Sequence, residues 1–164
     1  MNMRLITTCI ATALLAACAT TPKPLQGQFQ PLNAHEASAG DSTGSVVRWG
    51  GRIIRTEARP DRTCFEVLST KLSANGRPYW ASDDTLGRFV ACRTGFYDPA
   101  LFQADREVTF TGRIEGYEDR KVDGFIYRFP RMSADVVYLW PVRERVDVVN
   151  RPAVRFGFGW GWGW

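Results

Sequence analysis

Residues 87–116 read GRFVACRTGFYDPALFQADREVTFTGRIEG, and the order of patterns within them sets the architecture. Gly87 to Thr94 alternates Phe89 and Ala91 against Val90 and Cys92, the period of a strand with two distinct faces. Asp98 then offers a helix N-cap, and Pro99 suits the first helical position. The spacing predicts one short helix over roughly 98–104. Arg106 to Gly116 returns to alternation on Val108, Phe110 and Ile114, a second strand.

Working outward, both flanks repeat the strand-and-turn rhythm. Val46 to Arg55 (VVRWGGRIIR) reads as a first strand, with Gly50-Gly51 predicting a bulge or sharp coil at a barrel corner. Glu57 to Arg62, with Pro60, is a turn. Thr63 to Leu72 is a second strand, alternating on Phe65 and Val67, and Asn75-Gly76-Arg77-Pro78 closes it with a strong turn signal. On the other flank, Asp119 to Gly124 reads as a polar turn. Residues 125–130 and 134–142 then make one long or broken final strand. Five strands, with one short helix between the third and fourth, is the order of a small all-β, OB-like barrel. A split sandwich is the alternative arrangement of the same strands.

The chain divides into four parts. Residues 1–17 carry Arg4 followed by an apolar run from Leu5 to Ala17. A helix over that run would reach only about 20 Å, short of the roughly 30 Å of a bilayer core. The segment therefore reads as a signal peptide, to be set apart from the fold. Leu15-Ala16-Ala17-Cys18 has the form of a bacterial lipobox, with small residues before the cut between Ala17 and Cys18 and a nucleophilic thiol after it to accept lipid. Ala17-Cys18-Ala19 also satisfies an ordinary signal with cleavage after Ala19, so that reading stands beside the first. Lipid on Cys18 with more than one acyl chain would give firm membrane attachment. Ala19, in place of an aspartate after the cysteine, favours the outer membrane by analogy with enterobacterial sorting.

Residues 18–45 hold Pro22, Pro24 and Pro31, several Gly and Ser, and few large apolar side chains, and read as a lipidated N-terminus followed by a flexible tether. Residues 46–149 form the barrel domain. Residues 150–164 end in a run where Phe156, Phe158, Trp160, Trp162 and Trp164 alternate with glycine. That tail reads as a loose extension, as an interfacial anchor because Trp favours headgroups, or as a docking motif.

Charge and cysteine usage narrow the chemistry. Removing residues 1–17 takes one arginine and no acid, so the net charge falls from +4 to +3, too weak to demand a nucleic-acid partner. Cys9 leaves with the signal and Cys18 takes lipid, leaving Cys64 and Cys92 in an oxidising compartment. A Cys64–Cys92 disulfide is expected; two unbridged thiols are the alternative. The single histidine, His35, lies in the tether, so no metal site or cofactor site is expected.

Enzyme signatures are sparse. No G-x-S-x-G or Walker sequence occurs, and residues 46–149 contain no histidine to activate a nucleophile. Asp83-Asp84 and the group Glu115, Glu118 and Asp119 sit at turns, where acids ordinarily act as solvated turn formers. A binding face is the better candidate. Arg48, Trp49, Arg52 and Arg55 place cations and an aromatic on one strand, a combination able to hold a glycan or small anionic ligand. The competing assignment puts Trp49 in the core and the arginines on a solvated face.

Several pieces together resemble the Slp family of starvation-inducible outer-membrane lipoproteins. They are the lipobox ending at Cys18, Trp49-Gly50-Gly51-Arg52-Ile53, Phe65-Glu66-Val67-Leu68, Gly95-Phe96-Tyr97-Asp98-Pro99, the run from Val108 to Gly116, and Val137-Tyr138-Leu139-Trp140-Pro141. The resemblance covers most of residues 46–142, and the order and spacing of the pieces carry it. It implies an outer-membrane lipoprotein with its domain in the periplasm and a link to starvation or stationary-phase stress. It supplies no catalytic residues. The cysteine pair is not a general feature of that family, so the disulfide rests on compartment and spacing alone. The partners expected are the membrane, through the lipid, and an envelope protein or glycan. The sequence carries no signature of oligomeric state.

Overall fold

The computed structural model describes residues 20–81 and 84–143. The signal peptide, Cys18, Asp83 and the Gly/Trp tail lie outside the described residues.

Five strands form, β1 (Val46–Ala58), β2 (Arg62–Thr70), β3 (Arg88–Thr94), β4 (Glu107–Val122) and β5 (Phe125–Leu139). They close into a barrel in the order β1-β2-β3-β5-β4, with β4 returning to β1. Every pairing is antiparallel except β3 with β5, which runs parallel through Val90–Arg131, Ala91–Met132 and Cys92–Ser133. Closure removes the unpaired edges that an open sheet of this size would expose.

The alternation seen in the sequence decides which side chains enter the barrel. Val47, Trp49 and Ile53 point inward from β1, Phe65 and Val67 from β2, Phe89 and Ala91 from β3, and Val108, Phe110 and Ile114 from β4. Met132 and Ala134 complete the set from β5. The aromatic rings meet edge-on or tilted: Trp49 lies 5.2 Å from Phe89, Phe65 5.4 Å from Phe110, and Phe89 5.9 Å from Phe110. Each such side chain taken from water contributes about 1.5–3 kcal/mol. The interior is therefore packed with side chains.

Four expectations change. The helix expected between the third and fourth strands is a single hydrogen-bonded turn. Asp98 does cap it, its carboxylate accepting from Ala100 N at 2.8 Å, and the Leu101 and Phe102 amides both donate to Asp98 O at 3.0 Å. The turn stops there because Phe102 is drawn into the core, against Phe65 and Tyr97, and Asp105 adopts φ +65°. One turn is costly to extend without further packing.

Among the described residues, the one short α-helix lies before the barrel instead. Helix α1 (Ala34–Ala39) starts with a capping box in which Asn33 accepts from Glu36 N and Glu36 accepts from Asn33 N. Residues 20–45 are accordingly not a free tether over the described part. A 3₁₀ turn (Lys23–Leu25) buries Leu25, α1 buries Ala34 and Ala37, and Leu32 O accepts from the Trp49 indole at 2.6 Å. His35, expected in the tether, is exposed, while its amide donates to Leu86 O.

The bulge expected at Gly50-Gly51 falls at Ile54, between Ile53 and Arg55. The glycines serve another purpose. Residues 50–52 pair with β2 and β4 at once, and a Cβ on Gly51 would sit 1.8 Å from Leu68 O. Hydrogen in place of a side chain lets the strands approach.

The polar turn expected over 119–124 shrinks to Asp123 and Gly124, with φ of +46° and +97°. Asp-Gly at two consecutive positive-φ positions is the preferred two-residue hairpin turn. β4 and β5 therefore run on past the barrel wall as a long paired arm, with Val122 opposite Phe125. This arm folds over the outside of β2 and β3. Val122 and Phe129 cover Cys64, Val90 and Cys92, a small second core outside the barrel.

Candidate functional site

The cysteines sit directly opposite each other in the β2–β3 register and form a disulfide, with Cα atoms 4.0 Å apart. The bond lies on the outer face of the wall, beneath the arm. Thiol labelling of denatured, unreduced protein should leave both cysteines unreacted, and two labelled thiols would contradict the bond. For a sequence separation of 28 residues, reduction should lower folding stability by roughly 3.5 kcal/mol.

The arginines and tryptophan on β1 do not converge. Trp49 is 4% exposed and belongs to the core. Arg48 donates to Leu25 O at 2.9 Å and lies over the Phe29 ring, holding the N-terminal segment down. Arg52 stacks 4.4 Å from the Trp80 ring. Arg55, beyond the bulge, pairs with Glu57 at 3.0 Å and Glu66 at 3.2 Å. Alternation explains the split: Trp49 faces in, whereas Arg48 and Arg52 face out. Arg48 and Trp49 do border a groove of about 510 Å³ together with Phe29, Leu32, Glu36 and Lys71.

Sequence reasoning missed the polar cluster under the arm. Glu66 on β2 is buried and accepts from Arg55, Arg88 and Arg120 at 3.2, 3.2 and 3.1 Å. Arg120 also reaches Glu57 at 3.5 Å and hydrogen-bonds Glu118. These pairs join residues as far apart in sequence as Glu57 and Arg120, so no local spacing announces them. Partial burial works against ionisation of Glu57, but the Arg59 hydrogen bond and the charges of Arg120 and Arg55 outweigh it and lower its pKa. The cluster clamps the arm to the barrel. At the far side of the arm, Arg128 stacks on Tyr117 at 3.7 Å and donates to Gly40 O at 2.8 Å.

Glu115 pairs with Arg131 at 2.9 Å. Among the described residues no group of three His, Cys, Asp or Glu side chains could hold a metal ion. No helix of the described residues is long and apolar enough to cross a membrane. Among the described residues, exposed apolar side chains gather at the tip of the arm, where Phe125, Ile126 and Tyr127 are 70, 76 and 50% exposed.

Comparison with known proteins places this architecture. The sequence profile described as the outer membrane lipoprotein Slp family matches residues 15–164. An uncharacterized protein of Haemophilus influenzae is 30% identical over 136 residues, covering 81% of this chain and 74% of the relative. The outer membrane protein Slp of Escherichia coli is 28% identical, covering 82% of this chain and 73% of its own length. The uncharacterized lipoprotein YeaY of Escherichia coli is 27% identical over 85% of this chain and 73% of its own. No solved structure matches. With the lipobox region, the barrel strands and the segment after them all inside the matched span, the chain belongs to the outer membrane lipoprotein Slp family.

Proposed function

We propose that the protein is a lipid-anchored outer-membrane lipoprotein whose OB-like barrel stands in the periplasm. In this reading the signal peptide is removed before Cys18, and Cys18 carries the lipid. The role is structural, an interaction part of the envelope under starvation or stationary-phase stress, with no catalysis. The single observation that carries it is the filled barrel. Phe65, Phe89, Phe110, Ile114 and Met132 occupy the interior, leaving no room there for a substrate. The β1 arginines are tied to the chain itself, which weighs against the alternative of a glycan-binding face.

The anchor is tested by Cys18→Ser. Cleavage and lipidation both need the thiol, so the variant should lose stable membrane attachment and leave the outer-membrane fraction after a high-salt wash. A variant still held as firmly as the parent would contradict the anchor.

A further inference from the structure

The described chain begins and ends on one turn. Thr21 donates from its hydroxyl to Ala74 O at 3.0 Å, and Gly76 lies close to Thr21 and Leu25, whose side chains would sit 3.4 and 3.5 Å from a Cβ placed on it. Three residues further along the same turn, Arg77 donates to Pro141 O at 2.8 Å. Arg143 donates to Pro78 O at 3.3 Å. Ala74 and Arg77 are at most about 11 Å apart along the chain. The turn is itself fixed, with Ser73 N donating to Arg77 O and Thr109 donating to Gly76 O.

This end of the barrel has a distinct chemistry. Among the described residues, Arg52, Arg77, Arg106 and Arg143 gather there with Asp105 and Glu107. Glu107 is neutralised by Arg77 at 2.5 Å and Arg143 at 3.5 Å. Beside the arginines, Tyr79 and Val142 are 52 and 70% exposed. Basic side chains next to an exposed aromatic and an exposed aliphatic suit an interface of anionic headgroups.

We propose that this end, residues 71–80 with 141–143, is the face that rests on the lipid surface holding the Cys18 anchor. The proposal rests on the reading of Cys18 given above. Cys18 precedes Thr21 by three residues, which span at most about 11 Å, so lipid on Cys18 brings this end of the barrel to the headgroups. Each basic side chain close to an anionic surface adds about 1 kcal/mol, or about five-fold in binding. The arm points elsewhere. Val122 lies thirteen residues beyond Thr109 on β4, up to about 40 Å along the strand, so Phe125, Ile126 and Tyr127 stand off the membrane.

The test couples the mature chain, beginning at Cys18, through that thiol to a maleimide lipid in phosphatidylethanolamine–phosphatidylglycerol vesicles doped with a photoactivatable lipid. Cys64 and Cys92 are bonded to each other, so Cys18 is the reactive thiol. After irradiation, lipid adducts should map to residues 71–80 and 141–143 and be absent from 122–128. In the same vesicles without coupling, Arg143→Ala should weaken partitioning about five-fold. Adducts concentrated on Phe125–Tyr127, or none on residues 71–80 and 141–143, would overturn the proposed face. Because the coupling is synthetic, that failure is separate from a failure of Cys18 to be lipidated in cells.

Discussion

Gly51→Ala should lower the melting temperature of the protein by about 10 °C, through a loss near 3 kcal/mol, or prevent folding outright. A methyl group is a small addition, and its effect comes from where it lands. The added carbon would lie 1.8 Å from Leu68 O and 2.7 Å from Leu68 C. Both are backbone atoms inside the β1–β2 ladder, so no side-chain rotation relieves the contact. β2 must move away, and β1 is paired with β4 at the same residues, which leaves no slack on the other side. Gly51 has no positive φ, so the effect is purely one of approach. Gly40→Ala is the control. Nothing lies within 4 Å of a Cβ there, and its φ is −136°. That substitution should leave stability unchanged or raise it by up to about 1 kcal/mol, because the unfolded chain loses freedom. Thermal melts of both variants by circular dichroism check the pair. Similar melting temperatures would contradict the close approach of β1 and β2 at Gly51.

Phe65→Ala should cost about 3–5 kcal/mol. The ring is fully buried and meets Tyr97, Phe102 and Phe110 at 5.7, 5.3 and 5.4 Å. It thus joins the barrel interior to the turn between β3 and β4. Removing it empties the centre of the core and takes away the support on which Tyr97 and Phe102 rest. Against a typical total of about 5–15 kcal/mol, such a loss takes much of the folded population near physiological temperature. Phe96→Ala, one residue from Tyr97 but 72% exposed, should change stability by no more than about 0.5 kcal/mol. Urea titration separates the two. Equal midpoints for Phe65→Ala and the parent protein would mean that the aromatic core does not hold the barrel.

The strands were legible in the sequence because the side chains that fill the barrel recur at every second position. Phe65 and Val67 alternate with Cys64 and Glu66, and Val108, Phe110 and Ile114 alternate with smaller or polar residues. That alternation survives into the structure with the same faces. The cysteine pair followed from compartment and count, and the register places its members opposite each other. The N-terminal segment was not legible for a physical reason. Leu25, Ala34 and Ala37 form no periodic stripe, and they become core residues only because a barrel mouth is there to receive them. Asn33 and Glu36 did carry a capping signature, but a six-residue helix has too little length to announce itself by periodicity. The length of the β4–β5 arm was hidden behind Asp119, Arg120 and Lys121, whose charges mimic a turn. Arg120 instead turns back onto Glu66, and the positive-φ pair is confined to Asp123 and Gly124.

The candidate binding face failed as a group because a strand has two sides. Arg48 and Trp49 are sequence neighbours and therefore point apart. What the arginines do became visible only with their distant partners in place, Leu25 for Arg48 and Glu66 for Arg55. The proposed envelope role therefore rests on the proposed anchor and on the outer surface of a filled barrel.

Mass spectrometry of the amino-terminal peptide, from protein extracted out of bacterial membranes, tests that role most directly. The expected result is a peptide beginning at Cys18 whose mass includes a diacylglyceryl group on the thiol and an amide-linked acyl chain. An unmodified amino terminus beginning after Ala19 would contradict it.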